Sequence, residues 1–207
     1  VSRRTNPANN EAFGANNPLL DIPALGNVSV VFSFTPTASF ANTEIAFNFD
    51  CGNASAGAAI TPGVNTFELS ASNTPGADVV ALAATVGGIG INDIPNSIGS
   101  GAFAVATVNV GAQETITASA DTGSTSLPLG LFICPTDAAV KCTTDPAATA
   151  TLELSSNETA TFSVFAQLID SSDSVAFDPA ANRAFVRFRN AAGQLRGSTS
   201  VALRTVP

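Results

Sequence analysis

The stretch GAFAVATVNV, residues 101–110, contains the alternation that decides the fold. Phe103, Val105 and Thr107 stand at every second position, and small residues such as Ala104 and Ala106 stand between them. Because successive side chains of a β-strand point to opposite faces, this period of two predicts a strand with one face in a core. The same alternation predicts further strands at 28–34, 45–51, 64–71, 78–85, 115–120, 129–134, 149–154, 159–169, 183–190 and 198–206.

Clusters of turn-forming residues separate these segments, for example TPG at 61–63, NTPG at 73–76 and DTGS at 121–124. No run shows a convincing helical period of 3.6 residues. Short strands at this spacing predict an all-β protein of two Ig-like antiparallel β-sandwiches with about eleven strands. We place the first sandwich at 25–111 and the second at 112–207. The alternative is one continuous sandwich in which strands from both halves mix.

Residues 1–24 differ from the rest of the chain. They read VSRRTNPANNEAFGANNPLLDIPA, are rich in Asn and Pro, and show no sustained periodicity. This composition predicts an extended polar arm in front of the sandwiches.

The composition of the chain argues against an enzyme. Hydrophobic residues make up 45% and charged residues 12%, which suits a folded core and not a disordered chain. The chain has no His, the commonest general base, and none of the usual nucleophile, phosphate or dinucleotide motifs. We therefore expect no catalytic residues and no cofactor.

The charge of the chain is divided unevenly. Residues 179–207 contain five arginines and no acid, and the remaining residues carry 3 − 16 = −13, for a net charge of −8. One interpretation is a solvated strand face with alternating arginines. The other is head-to-tail pairing between copies, steered by opposite charges. The candidate assembly residues are Arg3, Arg4, Phe13, Arg187, Arg189 and Arg204. Nucleic acid is not an expected partner, because most of the chain would repel phosphate.

The three cysteines suggest one disulfide and one thiol. Cys134 and Cys142 are eight residues apart around a hairpin-like excursion, and a bond between them would stabilise by roughly 2–3 kcal/mol. Cys51 follows Ile45 and Phe47 at the strand period, which predicts a small buried hydrophobe. An intermolecular disulfide through Cys51 is the alternative.

A metal site has little support in the sequence. With no His and no second Cys pair, a zinc site lacks ligands. Asp170, Asp173 and Asp178 could offer oxygen ligands to Ca²⁺, but they lack the spacing of a calcium loop. We interpret them as solvated loop acids and expect no metal.

The C-terminal sequence FDPAANRAFVRFRNAAGQLRGSTSVALRTVP, residues 177–207, is the most distinctive motif. Together with 101–134 it resembles a tandem-repeat β-sandwich module of secreted bacterial surface and extracellular proteins. The resemblance covers about residues 30–207. It implies an extracellular building block and no particular activity or ligand. The chain departs from that pattern in having a single copy and the polar arm.

These observations favour a secreted extracellular or cell-surface protein whose signal peptide has been removed. The apolar run 79–92 is too short to span a membrane and is interrupted by glycines. We expect a structural subunit that self-assembles into a fibre, sheath or surface layer through strand or arm exchange and head-to-tail contacts. Its expected partners are other copies of itself, with cell-surface or matrix polysaccharide as a second possibility. The alternative is an adhesive or carbohydrate-binding module, which the absence of Trp and Tyr disfavours.

Overall fold

The computed structural model describes residues 2–5, 11–16, 19–24, 26, 28–47, 52–53, 59–170 and 172–207. It divides the chain into two compact units, Val1–Ser39 and Phe40–Pro207. Strands account for nearly all of the regular structure, and the only helical segment in the described residues is a 3₁₀ turn at Val86–Gly88. The prediction of an all-β sandwich protein is confirmed.

The first unit contains a small antiparallel sheet. Its strands are β1 (Ser2–Thr5), β2 (Ala12–Phe13) and β3 (Val30–Phe32), in the order β2-β1-β3. The prediction of a plain extended arm over 1–24 is therefore wrong for β1 and β2. The segment around β3, predicted to begin the first sandwich, supplies hydrogen-bonding partners to β1 instead.

The second unit holds the remaining strands. They are β4 (Phe40–Ala46), β5 (Thr66–Ala71), β6 (Val79–Ala84), β7 (Ile91–Pro95), β8 (Ser100–Asn109), β9 (Glu114–Asp121), β10 (Leu129–Pro135), β11 (Thr149–Leu154), β12 (Thr159–Leu168), β13 (Arg183–Asn190) and β14 (Leu195–Val206). A four-stranded sheet has the order β10-β12-β8-β6, and a five-stranded sheet has the order β11-β9-β13-β14-β7. β4 and β5 form a separate two-stranded sheet.

The two large sheets mix strands from both halves of the sequence. β8, which precedes the predicted domain boundary at 111–113, pairs along nearly its whole length with β12, and β7 pairs with β14. The division into sandwiches at 25–111 and 112–207 is therefore wrong, and the continuous sandwich is correct. The physical reason is that each half alone would leave apolar strand faces unpaired, whereas the mixed sheets bury them against each other.

The core lies between the four-stranded and five-stranded sheets. Its largest fully buried side chains include Phe162 on β12 and Phe188 on β13, whose ring centroids are 5.6 Å apart. Phe103 and Val105, the alternating residues of the deciding stretch, are also buried in this core. The alternation of β8 thus does what the sequence predicts, with Phe103 and Val105 pointing inward.

A buried amide closes one end of the sandwich. The side chain of Asn109 is fully buried where β8 ends. Its amide nitrogen donates to the carbonyls of Ala112, Leu154 and Ser155 at 2.8, 3.1 and 3.2 Å, and its oxygen accepts from the backbone N–H of Asp78 and Gly111, both at 3.0 Å. One side chain therefore satisfies backbone groups of three loops that meet at this end.

β7 is the strand that the sequence does not reveal. It is short, it follows a glycine-rich turn, and it ends at Pro95. β7 runs parallel to β14, with Asn92 opposite Leu203. Parallel pairing of strands so far apart in sequence leaves no local turn signal, so periodicity alone could not find it.

Candidate interaction surfaces

The outer face of the four-stranded sheet is apolar. On β6 and β8 it presents Val80, Leu82, Ala102, Ala104, Ala106 and Val108, and on β10 and β12 it presents Phe132 and Phe165. We call this set the apolar face. Its polar members are uncharged: Thr161, Ser163 and Gln167. All four strands lie in the described part of the chain, and none of their residues carries a charge.

The register of the strands places these apolar side chains side by side. Phe132 lies opposite Phe165, and Phe165 lies opposite Ala102. Leu82 lies opposite Ala106 on the neighbouring pair of strands. The exposed fraction of Leu82 is 70%, and that of Phe132 is 36%. The exposed apolar side chains are thus concentrated on β6 and β8, with Phe132 and Phe165 beside them and the uncharged polar residues of β12 in between, and an exposed apolar patch of this kind marks an interaction site.

The outer face of the five-stranded sheet has the opposite character. It carries threonines, serines and the alternating arginines of β13 and β14. Arg187 forms an ion pair with Asp121, and Arg204 forms one with Asp93, each with an N–O distance of 2.7 Å. Arg187 also lies over the ring of Phe185, with its guanidinium carbon 4.9 Å from the ring centroid. Arg187 and Arg204 are thus neutralised within the chain.

The remaining arginines of the C-terminal segment also have partners in the chain. Arg189 donates to the carbonyl of Gly193 at 3.1 Å, and Arg183 donates to Ser200 and to the carbonyl of Pro179. Burial lowers the pKa of Arg183. The structure therefore places Arg187, Arg189 and Arg204 together on one sheet, each with an internal contact. In the first unit, the β1–β2 register puts Arg4 opposite Phe13.

Glu114 links three elements at the start of β9. Its carboxylate lies 2.8 Å from Nε of Arg196, and it accepts hydrogen bonds from Asn190 Nδ2 at 2.7 Å and Ala77 N–H at 3.0 Å. Burial raises the pKa of this carboxyl, but the bonds from Arg196, Asn190 and Ala77 outweigh burial and the pKa is lowered. Glu114 is thus ionised and ties β9 to β13 and β14.

The β4–β5 hairpin lies over part of the five-stranded sheet. Asn42 Nδ2 donates to the carbonyl of Leu195 at 2.7 Å. A Cβ at Gly63 would lie 3.0 Å from the ring of Phe185, so the hairpin loop covers that ring closely. Phe188 lies in the core on one face of β13, and Phe185 lies on the opposite, outer face. The cover provided by the hairpin explains why Phe185 is buried as well. Burial and the neighbouring Glu44 raise the pKa of Glu68 on this hairpin.

A shallow cleft lies beside the hairpin. It has a volume of about 540 Å³ and runs between β5, residues 74–81 and the first residues of β14. Its charged residues are Glu68, Asp78 and Arg196. Arg196 is already paired with Glu114, so the cleft offers no cluster of free acids or bases.

The candidate calcium residues do not form a site. Asp170 accepts hydrogen bonds from the backbone and hydroxyl of Ser172, and Asp173 accepts from the N–H of Asp170. Asp178 accepts from the N–H groups that follow it in its own turn. Within the described ranges no three acidic or cysteine side chains gather as metal ligands. These carboxylates cap turns.

The structure contains the disulfide between Cys134 and Cys142, whose Cα atoms are 5.6 Å apart. The segment that follows β10 folds back along it: Thr136 bridges to Cys142 within the disulfide-closed loop, and beyond that loop Ile133 and Ala147 exchange backbone hydrogen bonds of 2.7 and 3.1 Å. This segment thus covers the outer edge of the four-stranded sheet at β10. Cys51, the predicted buried thiol, lies outside the described residues.

The apolar face is the feature that sequence reasoning missed. The prediction assigned one apolar side of each strand to the core and left the other side undiscussed. The sequence does indicate this face, because β8 and β6 have apolar residues at both sets of alternate positions. The set that faces outward contains Ala102, Ala104 and Ala106 on β8 and Val80 and Leu82 on β6. A half-buried strand normally alternates apolar with polar residues, and these two strands do not.

The comparisons with known proteins identify no family. No protein-family description and no curated protein matches the chain. Among solved structures, the N-terminal domain of PorA matches with 10% identity over 62% of this chain and 97% of that chain, at a TM-score of 0.33. A Bifidobacterium adolescentis GH3 beta-glucosidase matches with 13% identity over 68% of this chain and 19% of that chain, at a TM-score of 0.26. These similarities are too low to support an argument about function.

A search of the described residues for membrane-crossing helices finds none with the necessary length and apolar character.

Proposed function

We propose that the chain is a non-enzymatic extracellular structural unit that assembles with copies of itself through the apolar face. One observation carries the proposal: the outer face of the four-stranded sheet carries only apolar or uncharged side chains, and Val80, Leu82, Ala102, Ala106 and Phe132 among them are exposed. On the opposite side of the sandwich, charged groups are present, and Arg187 and Arg204 among them are paired with acids of the same chain. Water-exposed apolar surface of this kind gains free energy when a partner covers it.

The size of the apolar face supports pairing between two copies. Four strands spaced about 4.8 Å apart and six to ten residues long span roughly 19 Å by 28 Å, or about 530 Å² of flat area. Side-chain relief raises the accessible area, so two faces together approach the lower end of stable interfaces, about 1,200 Å² in total. Because the face carries no charge, a second copy can cover it without burying an unpaired ion.

The extracellular location rests on the disulfide. Bonds such as Cys134–Cys142 persist in oxidising compartments and are rare in the cytosol. The non-enzymatic assignment rests on the chemistry of the acids: Asp93, Asp121 and Glu114 are used in ion pairs, and Asp170 and Asp178 cap turns.

The prediction of strand or arm exchange through residues 1–24 remains part of the proposal. Arg3 and Arg4 lie in β1, which pairs with β2 and β3 in the same chain. An exchange would therefore transfer β1 from its own sheet to the equivalent sheet of a second copy.

A charge placed on the apolar face tests the proposal. Ala106→Glu puts a carboxylate at an exposed position in the centre of the face and should weaken association there about 100-fold. Thr149→Glu on β11, also exposed but on the polar side of the sandwich, is the matched control and should associate like the wild type. Sedimentation velocity over a concentration series provides the measurement. A wild type that stays monomeric throughout, or an Ala106→Glu variant indistinguishable from Thr149→Glu, refutes the proposal.

A further inference from the structure

We infer that β6 is an edge for strand addition and that it pairs antiparallel with β6 of a second copy. The inference rests on the proposed self-assembly through the apolar face and adds a second contact to it. β6 is the outermost strand of the four-stranded sheet. Its sequence, VVALAA, contains no charge, no proline and no bulge. Proteins normally protect exposed edges with such features, because an unprotected edge invites pairing with another chain.

The other outer edges of the two large sheets are protected. The segment that follows β10 covers it, where Ile133 bonds to Ala147. β7 carries Asp93 and ends at Pro95, which has no N–H to donate. β11 carries Glu153, an exposed charge within a six-residue strand. Among these four edges, β6 alone has none of these protections beyond Val79, where β14 lies against it.

The backbone groups of β6 that point outward can be identified from its pairing with β8. Val110 N–H donates to the carbonyl of Asp78 at 2.8 Å, so Asp78 faces β8. In an antiparallel pair, every second residue directs both backbone groups at the same neighbour, so Val80 and Leu82 also face β8. Ala81 and Ala83 therefore direct their N–H and C=O groups away from the sheet.

The first residues of β6 are not open to a partner strand. They line the cleft of about 540 Å³ together with β5 and the first residues of β14. At Val79 the edge is closed, because Gly197 of β14 approaches the Val79 carbonyl so closely that any side chain there would collide with it. Pairing with a second strand is thus confined to the part of β6 beyond Val79.

A two-fold axis at Leu82 satisfies these constraints. Ala81 of one copy then lies opposite Ala83 of the other, which forms about four backbone hydrogen bonds across the axis. Leu82 lies opposite Leu82 of the other copy in a non-hydrogen-bonded pair, where side chains approach most closely. The side chain of Leu82 is 70% exposed and is available for this contact.

The same register joins the two apolar faces. Val80 and Leu82 point to the same face of β6, and the Leu82 side chains of the two copies meet at the axis. The pairing therefore joins two apolar faces into one surface across eight strands.

Proline at Ala83 tests the inference. Ala83→Pro removes a donor that points away from β8, so the fold should persist while the edge contact is lost. We expect the Ala83→Pro variant to form only the dimer paired through the apolar face. The Ala106→Glu variant should form only the dimer paired through the β6 edge. The double variant should be a monomer, and sedimentation velocity distinguishes the three states. If the double variant remains as associated as Ala106→Glu alone, edge pairing is refuted while the proposed function stands. If the wild type is monomeric, both are refuted.

Hydrogen exchange provides a second readout that needs no proline. The amides of Ala81 and Ala83 should exchange at least tenfold more slowly in the assembled wild type than in a sample diluted to monomer. The amides of Val80 and Leu82, which bond to β8, should be protected in both samples and serve as the internal control. Equal exchange of Ala81 and Ala83 in the two samples would contradict the inference even if Ala83→Pro proved unstable.

Discussion

Replacing Asn109 with alanine is expected to lower the free energy of unfolding by roughly 3–5 kcal/mol. The side chain is fully buried and makes hydrogen bonds to five backbone groups. Alanine would remove these five bonds, and each buried group left unsatisfied costs about 1–3 kcal/mol before water or relaxation compensates. The loss is large because one residue serves the loop ends near Asp78, Gly111 and Ser155 at once.

Asn92 provides the matched control for this experiment. Its side chain is also buried, but its amide nitrogen has no hydrogen-bond partner. Asn92→Ala should therefore destabilise by less than about 1 kcal/mol. Urea unfolding followed by circular dichroism measures both variants, with similar m values indicating an unchanged unfolding transition. An Asn109→Ala loss no greater than that of Asn92→Ala would show that the network does not stabilise the end of the sandwich.

Phe188→Ala is the second substitution with a large expected effect. Phe188 is fully buried between the two sheets and packs against Phe162 at a centroid distance of 5.6 Å. Removing the ring loses its burial and leaves a cavity between strands that are fixed by hydrogen bonds on both sides. We expect a loss of about 3–5 kcal/mol, a large part of the stability of an ordinary domain.

Phe177→Ala separates the loss of core packing from the loss of an aromatic ring in general. Phe177 is 55% exposed, and its principal contact is with the guanidinium of Arg204, whose central carbon is 5.2 Å from the ring centroid. This variant should lose less than about 1 kcal/mol. Thermal unfolding of the two variants at equal concentration measures the difference. Comparable losses would mean that Phe188 does not anchor the core.

Most strands of the sandwich, though not β7, were predictable because they have a local signal. β8, β12 and β13 combine period-two alternation with branched or aromatic residues and are bounded by turns, so their positions follow from neighbouring residues. The order of strands in the sheets was not predictable in this way. Whether β8 pairs with β12 or with an earlier strand depends on contacts between residues about fifty positions apart, which the period of two does not encode.

The small sheet of the first unit shows a second limit. β1 contains Arg3 and Arg4, and β2 is only two residues long, so neither has the apolar alternation of a strand. Their pairing depends on β3, which has that alternation. The disulfide between Cys134 and Cys142 was within reach of sequence reasoning because the two residues belong to one short loop.

The apolar face could have been inferred only by asking which side of each strand the core uses. In β6 and β8 both sets of alternate positions are apolar, so either set could fill the core. The structure assigns Phe103 and Val105 to the core and the smaller Ala104 and Ala106 to the outside. Larger side chains fill the space between two sheets better, which explains the choice in β8; β6 has the opposite arrangement, with Ala81 and Ala83 against the core and Val80 and Leu82 outside.

The absence of charge on the apolar face determines how association should respond to the ions in its surroundings. The chain as a whole carries −8, so two copies approaching each other experience same-sign repulsion over distances of about 10 Å at moderate ionic strength. Salt screens that repulsion and weakens no attraction at the face, since no ion pair forms there. Assembly would then strengthen where seawater-like or calcium-rich fluids bathe the protein and loosen in fresh water, the reverse of the behaviour of charge-matched interfaces.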